Sequence, residues 1–167
     1  MNYQTEGETQ GPSVETLIGQ LRTDGTADAG TDPDDDPAAE AAALVAETAS
    51  ALYDEDALDI DDGLMKESLP ELLVLLVGLR ESDTHGKGLM NDIDRFFGTR
   101  LSPGTVYPTL HELDEDGVLE MRELVQTKEY FLGDEAAVRG RLETAMIQHL
   151  ALGFVFQRAL EEIENQG

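Results

Sequence analysis

Between Ser68 and Gly117 the chain carries a helix start or stop signal roughly every dozen residues, which leaves room only for short elements there. Ser68-Leu-Pro-Glu71 has the pattern of a capping box with proline in the first turn, and it opens the run Leu72–Leu79. That run is apolar nearly all round, which predicts a central buried helix. Gly86–Phe97 follows with Leu89, Met90, Ile93, Phe96 and Phe97 at helical spacing and Gly98 as its stop. Ser102-Pro103 opens a third helix as N-cap and first residue, with Val106, Leu110 and Leu113 as its core face and Gly117 as its end. Leu119 and Met121 then alternate with Glu120 and Arg122 as a short strand, and Tyr130 and Leu132 mark its partner. One long helix is expected from Asp134 to Asn165. The order predicts a mostly α fold with a small β-hairpin wing: a winged helix-turn-helix followed by a long C-terminal helix.

The N-terminal part reads differently. Residues 1–63 hold 17 acidic groups against Arg22 alone, a net of −16, whereas residues 64–167 hold 19 against 10. Arg22–Pro37 is built from Asp, Gly, Thr, Ala and proline and cannot bury enough apolar area to offset its ordering entropy, so it reads as a linker. Weak helices flank it: Ser13–Leu21, with Leu17, Ile18 and Leu21 on one side, and Ala38–Tyr53, with Leu44, Val45 and Leu52 as its large apolar groups. The division expected is therefore an acidic arm over 1–63, a winged domain over 64–133 and a last helix over 134–167. The arm is expected to be dispensable for folding.

Charge and composition exclude several function classes. The chain has no cysteine, so disulfides, thiolate metal sites and cysteine nucleophiles are out. No apolar run approaches the roughly 18–20 residues of a membrane span, and the start is polar and acidic; an intracellular, cytoplasmic protein with no membrane partner is expected. The formal net charge of −25 admits a basic partner, a DNA mimic, or adaptation to molar cytoplasmic salt. At about 1 M salt the Debye length is only ~3 Å, so such a surface repels itself little. Acidic residues run through the whole chain and only Lys66, Lys87 and Lys128 are lysines, which favours the salt reading.

With His85-Gly86, the run Leu101-Ser-Pro-Gly-Thr-Val-Tyr-Pro-Thr-Leu110, Gly117-Val118 and Lys128-x-Tyr130-x-Leu132, the sequence resembles the PadR family of transcriptional regulators. The likeness covers about residues 68–133 closely and 134–165 by character. It departs in a short wing between Arg122 and Lys128, in Thr127 where a second basic residue is common, and in Gly133 where threonine is usual. The resemblance implies a winged helix-turn-helix, double-stranded DNA as partner, a homodimer, a small-molecule effector held near the dimer helices, and repression as the commoner outcome. The acidic composition adds a haloarchaeal character.

The third helix carries the DNA expectation. Its N-terminus offers free N–H groups and a partial positive charge suited to phosphate. Ser102, Gly104 and Thr105 stand there, small enough for close approach, with Ser102 also a cap. Opposite the core face, the outward stripe is read as Thr105, Tyr107, Pro108, Thr109 and Glu112, whose hydroxyls suit phosphates or base edges. Tyr107 serves equally well as scaffold between helix and wing. Lys87, Arg95, Arg100, Arg122 and Lys128 are the plausible phosphate contacts, although Arg95, flanked by Asp92 and Asp94, reads better as a surface ion pair. His85, His111 and His149 have no metal-ligand spacing, and His85 reads as a helix-start residue. No nucleophile elbow, phosphate loop or cofactor motif is present, so no catalytic residue, cofactor or metal is expected and the protein is not read as an enzyme.

In the last helix Leu142, Met146, His149, Gly153, Phe156, Leu160 and Ile163 are spaced 4-3-4-3-4-3, a heptad seam expected to hold the dimer. Leu150, Leu152, Phe154 and Val155 form a second apolar strip beside it, which could also pack on Ala38–Tyr53. The competing reading is a winged helix that has lost DNA and offers its acidic arm to a basic protein, supported by 13 acidic against seven basic residues within 66–133.

Overall fold

The computed structural model describes residues 36–53 and 58–167. In order they form α1 (Ala39–Tyr53), α2 (Asp62–Glu67), α3 (Leu69–Leu79), α4 (Gly86–Phe97), α5 (Pro103–Glu115), β1 (Leu119–Glu123), β2 (Lys128–Leu132) and α6 (Glu135–Asn165). The expected segments Ser13–Leu21 and Arg22–Pro37 lie outside the described residues except for Asp36 and Pro37.

α3 is the centre. Leu69, Leu73, Val74, Leu76 and Val77 are buried on it, and the burial of each such side chain is worth about 1.5–3 kcal/mol. α4 closes on it with Leu89 and Ile93, α5 with Val106, Leu110 and Leu113, and the hairpin with Leu119 and Tyr130. β1 and β2 are antiparallel, with Leu119 opposite Leu132 and Met121 opposite Tyr130. Mostly α with one hairpin wing and a long last helix, the architecture is a winged helix-turn-helix.

Local chemistry departs from the sequence reading at both serine starts. Ser68 heads α3 without a side-chain cap, and the capping box does not form. α2 runs straight into α3, so the Ser68 N–H already donates to the Leu64 carbonyl at 3.0 Å, and Glu71 turns to Arg141 of α6 at 3.1 Å. Ser102 likewise makes no side-chain cap; its hydroxyl pairs with that of Thr105 at 3.1 Å. α4 does have its start and stop: His85 Nδ1 accepts from the Gly88 N–H at 2.9 Å, and Gly98 takes φ 67°.

α1 sits closer to the core than an arm would. Ala38, Ala41, Val45 and Ala49 are buried, and Ala41 belongs to the same apolar cluster as Leu73 and Leu89. Small side chains are what let this helix come close; alanines that look weak by hydrophobicity are the packing face. Asp36 pins its start, accepting from the Ala38 N–H at 3.1 Å and from Arg95 at 2.9 Å. Those two donors hold its carboxyl below the usual carboxylate range.

Candidate nucleic-acid interface

The site is the outer face of α5 with the wing beside it. With Val106, Leu110 and Leu113 inward, a turn of about 100° per residue puts Gly104, Pro108, His111 and Glu115 on the outermost line, and all four are exposed. Of the stripe read from the sequence, Thr105, Tyr107, Pro108 and Glu112 are exposed and Thr109 departs. Thr109 lies at the border of the core face, half-buried, and its hydroxyl donates to the Thr105 carbonyl at 3.1 Å. Thr105 and Glu112 remain exposed on one flank. Pro108 is exposed in mid-helix and has no N–H to give the Gly104 carbonyl.

Tyr107 is scaffold with an exposed edge. It is 41% exposed, and its ring lies so close to Gly86 that a Cβ added there would come within 2.7–2.8 Å of two ring carbons and the phenol oxygen. The glycine of the His85-Gly86 pair is thus the seat of the Tyr107 ring. Tyr130 lies behind it; burial first, then Tyr107 and Asp114, push its phenol above the ordinary value, so it stays protonated.

One contact fixes the wing to α5 and two fix it to the turn before α4. Asp114 of α5 accepts from the Met121 N–H at 2.9 Å, the Tyr130 N–H donates to the Thr84 carbonyl at 3.1 Å, and His85 bridges to Glu129. At the wing base Gly133 and Gly117 meet backbone to backbone: a Cβ on Gly133 would lie 2.2 Å from the Gly117 carbonyl oxygen. This is the physical reason for glycine where the family pattern has threonine. The wing tip is apolar, with Leu124 half-exposed and Val125 fully so.

The basic residues sort by how committed they are. Arg95 pairs with Asp36 and lies over Phe96, not with its neighbours Asp92 and Asp94. Asp92 is instead buried with Arg80, and Asp94 lies 3.5 Å from Arg100. Arg122 is held 4.3 Å over the Phe131 ring and 3.1 Å from Glu120. Arg100 is nevertheless almost wholly exposed, and Lys87 and Lys128 have no ion-pair partner among the described residues.

α6 divides in two. Val138 is buried and Leu142 half-buried against the core; Leu142 and Met146 border an apolar groove with Leu72 and Leu75 of α3. His149, expected on the seam, faces the start of α3: its Nδ1 donates to the Ala145 carbonyl at 2.6 Å and its Nε2 accepts from the Ser68 hydroxyl at 3.4 Å. Beyond it Leu152, Phe154, Val155, Phe156, Leu160 and Ile163 are all exposed. No helix among the described residues is long and apolar enough to cross a membrane.

The pattern of the transcriptional regulator PadR-like family matches residues 74–136, the span from α3 through the wing into α6. Transcriptional activator GvpE1 of Halobacterium salinarum is 32% identical over 157 residues, covering 90% of this chain and 82% of that protein. The chain belongs to the PadR-like family of transcriptional regulators. A second relative, transcriptional activator GvpE of Haloferax mediterranei, is 40% identical over 98 residues, 59% of this chain and half of that protein. A solved PadR-like transcription factor from Bacteroides fragilis aligns at 20% identity and TM-score 0.39 over 60% of this chain and 94% of that one. Membership makes the chain a non-enzymatic regulator of transcription, and the two salt-loving relatives agree with its halophilic, archaeal composition.

Proposed function

We propose that this PadR-like regulator is a cytoplasmic homodimer that binds a two-fold DNA site sequence-specifically and activates transcription. The observation that carries the reading is the bare outer face of α5: small residues at its start, with Lys87 and Lys128 unpaired among the described residues and Arg100 exposed beside Asp94. Two such helices related by a dimer axis would enter successive major grooves. The exposed apolar half of α6, from Gly153 through Phe156, Leu160 and Ile163, is the surface that supports the dimer. Leu142 packs on the core and His149 meets Ser68, so they anchor the helix as well as extend the seam, while Met146 borders the groove beside α3. Activation replaces the repression that the family resemblance implied, because the relatives above are named activators. An effector remains a proposal; the groove between α3 and α6 is the place for it.

The proposed phosphate contacts are Lys87, Arg100, Arg122 and Lys128 with Ser102, Gly104 and Thr105 at the helix start; Tyr107 and Pro108 are exposed beside them, and Thr109 is half-buried at the border of the core face. Fluorescence anisotropy with random and selected duplexes, from about 0.1 to 3 M KCl, tests them. Arg100→Ala and Lys128→Ala should weaken both duplexes alike and flatten the log–log salt slope by about 0.9 per phosphate lost. Unchanged affinity and slope in both variants would place the DNA face elsewhere. Phe156→Glu with Leu160→Glu should convert the dimer to monomer in light scattering.

A further inference from the structure

α5 contains no arginine, lysine, asparagine or glutamine, the side chains that most often read purines. Its hydroxyls are largely spoken for: Ser102 pairs with Thr105, and Thr109 donates to a carbonyl of its own helix. The Tyr107 ring lies against Gly86. On the outermost line, Gly104 and Pro108 have no polar side-chain atom, and Glu115 can only accept. His111 is the one side chain there with an N–H to give. Its ring is 70% exposed, and Glu115, one turn on, lies 3.4 Å from its Nε2. Within ion-pair distance the described residues place no other charged group beside it.

We propose that His111 reads a purine edge in the major groove and that its protonation ties DNA affinity to pH. The proposal rests on the major-groove placement of α5 proposed above. Seven residues separate Gly104 from His111, about 10 Å of helix or roughly three base-pair steps, so the helix start can hold a phosphate while the imidazole meets a base. A purine N7 or guanine O6 accepts an N–H from the ring, and the Glu115 carboxylate is placed to hold the other nitrogen. Neutral imidazole has one N–H and serves one of these partners; imidazolium has two and serves both. Protonation also removes one unit of the negative charge that Glu112 and Glu115 turn toward phosphate. Binding therefore tightens when the ring takes up a proton.

The measurement is anisotropy of the full chain with a duplex selected from a randomised library and with a random duplex of equal length, between about pH 8 and 5.8. In about 2 M KCl the Debye length is below ~3 Å, so a change in overall charge is screened while a direct contact is not. The selected duplex should bind about tenfold tighter at the acid end in that salt, and the random duplex much less so. His111→Ala isolates the effect: it should abolish the pH response and lower the selected-to-random ratio about tenfold. His111→Gln, which keeps a donor without a titrating proton, should restore part of the ratio and none of the pH response. Circular dichroism should show both variants folded. A His111→Ala protein with the wild-type pH profile and ratio overturns the proposal. A wild-type protein that never prefers the selected duplex overturns the major-groove reading itself, and His111 with it.

Discussion

Arg80→Met should cost more stability than any surface change in this protein, and molar salt should not repair it. Arg80 closes α3 and Asp92 lies in α4; their side chains are only 7% and 6% exposed and are bonded to each other. Arg80 also donates from Nε to the Ser82 carbonyl at 3.2 Å, so it ties both helices to the turn between them. Removing the cation leaves a buried carboxylate without its partner, which costs about 3–5 kcal/mol. At roughly 2–4 °C per kcal/mol, melting should fall by about 6–20 °C. Arg95→Ala is the control: its pair with Asp36 is about half exposed, worth at most ~1 kcal/mol and screened by salt. Thermal melts of wild type and variants, compared at equal KCl of about 0.5 and 3 M, separate the two cases. Arg80→Met combined with Asp92→Leu should recover most of the loss, because an apolar pair leaves no charge behind. A deficit that vanishes in high salt, or a double variant no better than the single, would show that the buried pair is not the cause.

The remaining predictions concern packing and pH. Gly86→Ala should cost about 1–3 kcal/mol by displacing the Tyr107 ring, and a double-mutant cycle with Tyr107→Ala should be strongly non-additive; simple additivity would separate the two residues. Deleting residues 1–53 removes the packing of Val45 and the buried alanines of α1 and should cost about 2–4 kcal/mol by chemical denaturation, against the sequence expectation of a dispensable arm. Asp36 has a lowered carboxyl pKa, so its contribution is present above the unfolded value of about 3.9 and is lost as pH falls through the lower folded value. Hydrogen exchange at the start of α1 should therefore rise sharply only below about pH 4, and unchanged protection there would dismiss the anchor.

The helix boundaries were legible because they are local. Gly98 and Gly117 take positive φ, His85 caps α4, and Asp134 caps α6 by accepting from the Ala137 N–H at 2.9 Å. The core face of α5 followed from spacing alone, since Val106, Leu110 and Leu113 can share only one side of a helix. Which flank of that helix stays bare was less legible. Thr109 looks outward by its chemistry, but it is half-buried in the fold, and His111 takes the outer line.

Chain order, the wing, the long last helix and the halophilic surface were thus determined by the sequence, through signals that act within a turn or a strand. Partner choice was not, because it depends on residues brought together from far apart. Asp92 left its neighbour Arg95 for Arg80, Glu71 left its capping box for Arg141, and Asp36 crossed to Arg95. The alanines of α1, too small to register as a hydrophobic stripe, became a packing face only when the apolar cluster around α3 stood beside them. Burial and ion pairing are decided by what lies across the gap, and only the tertiary structure supplies that neighbour.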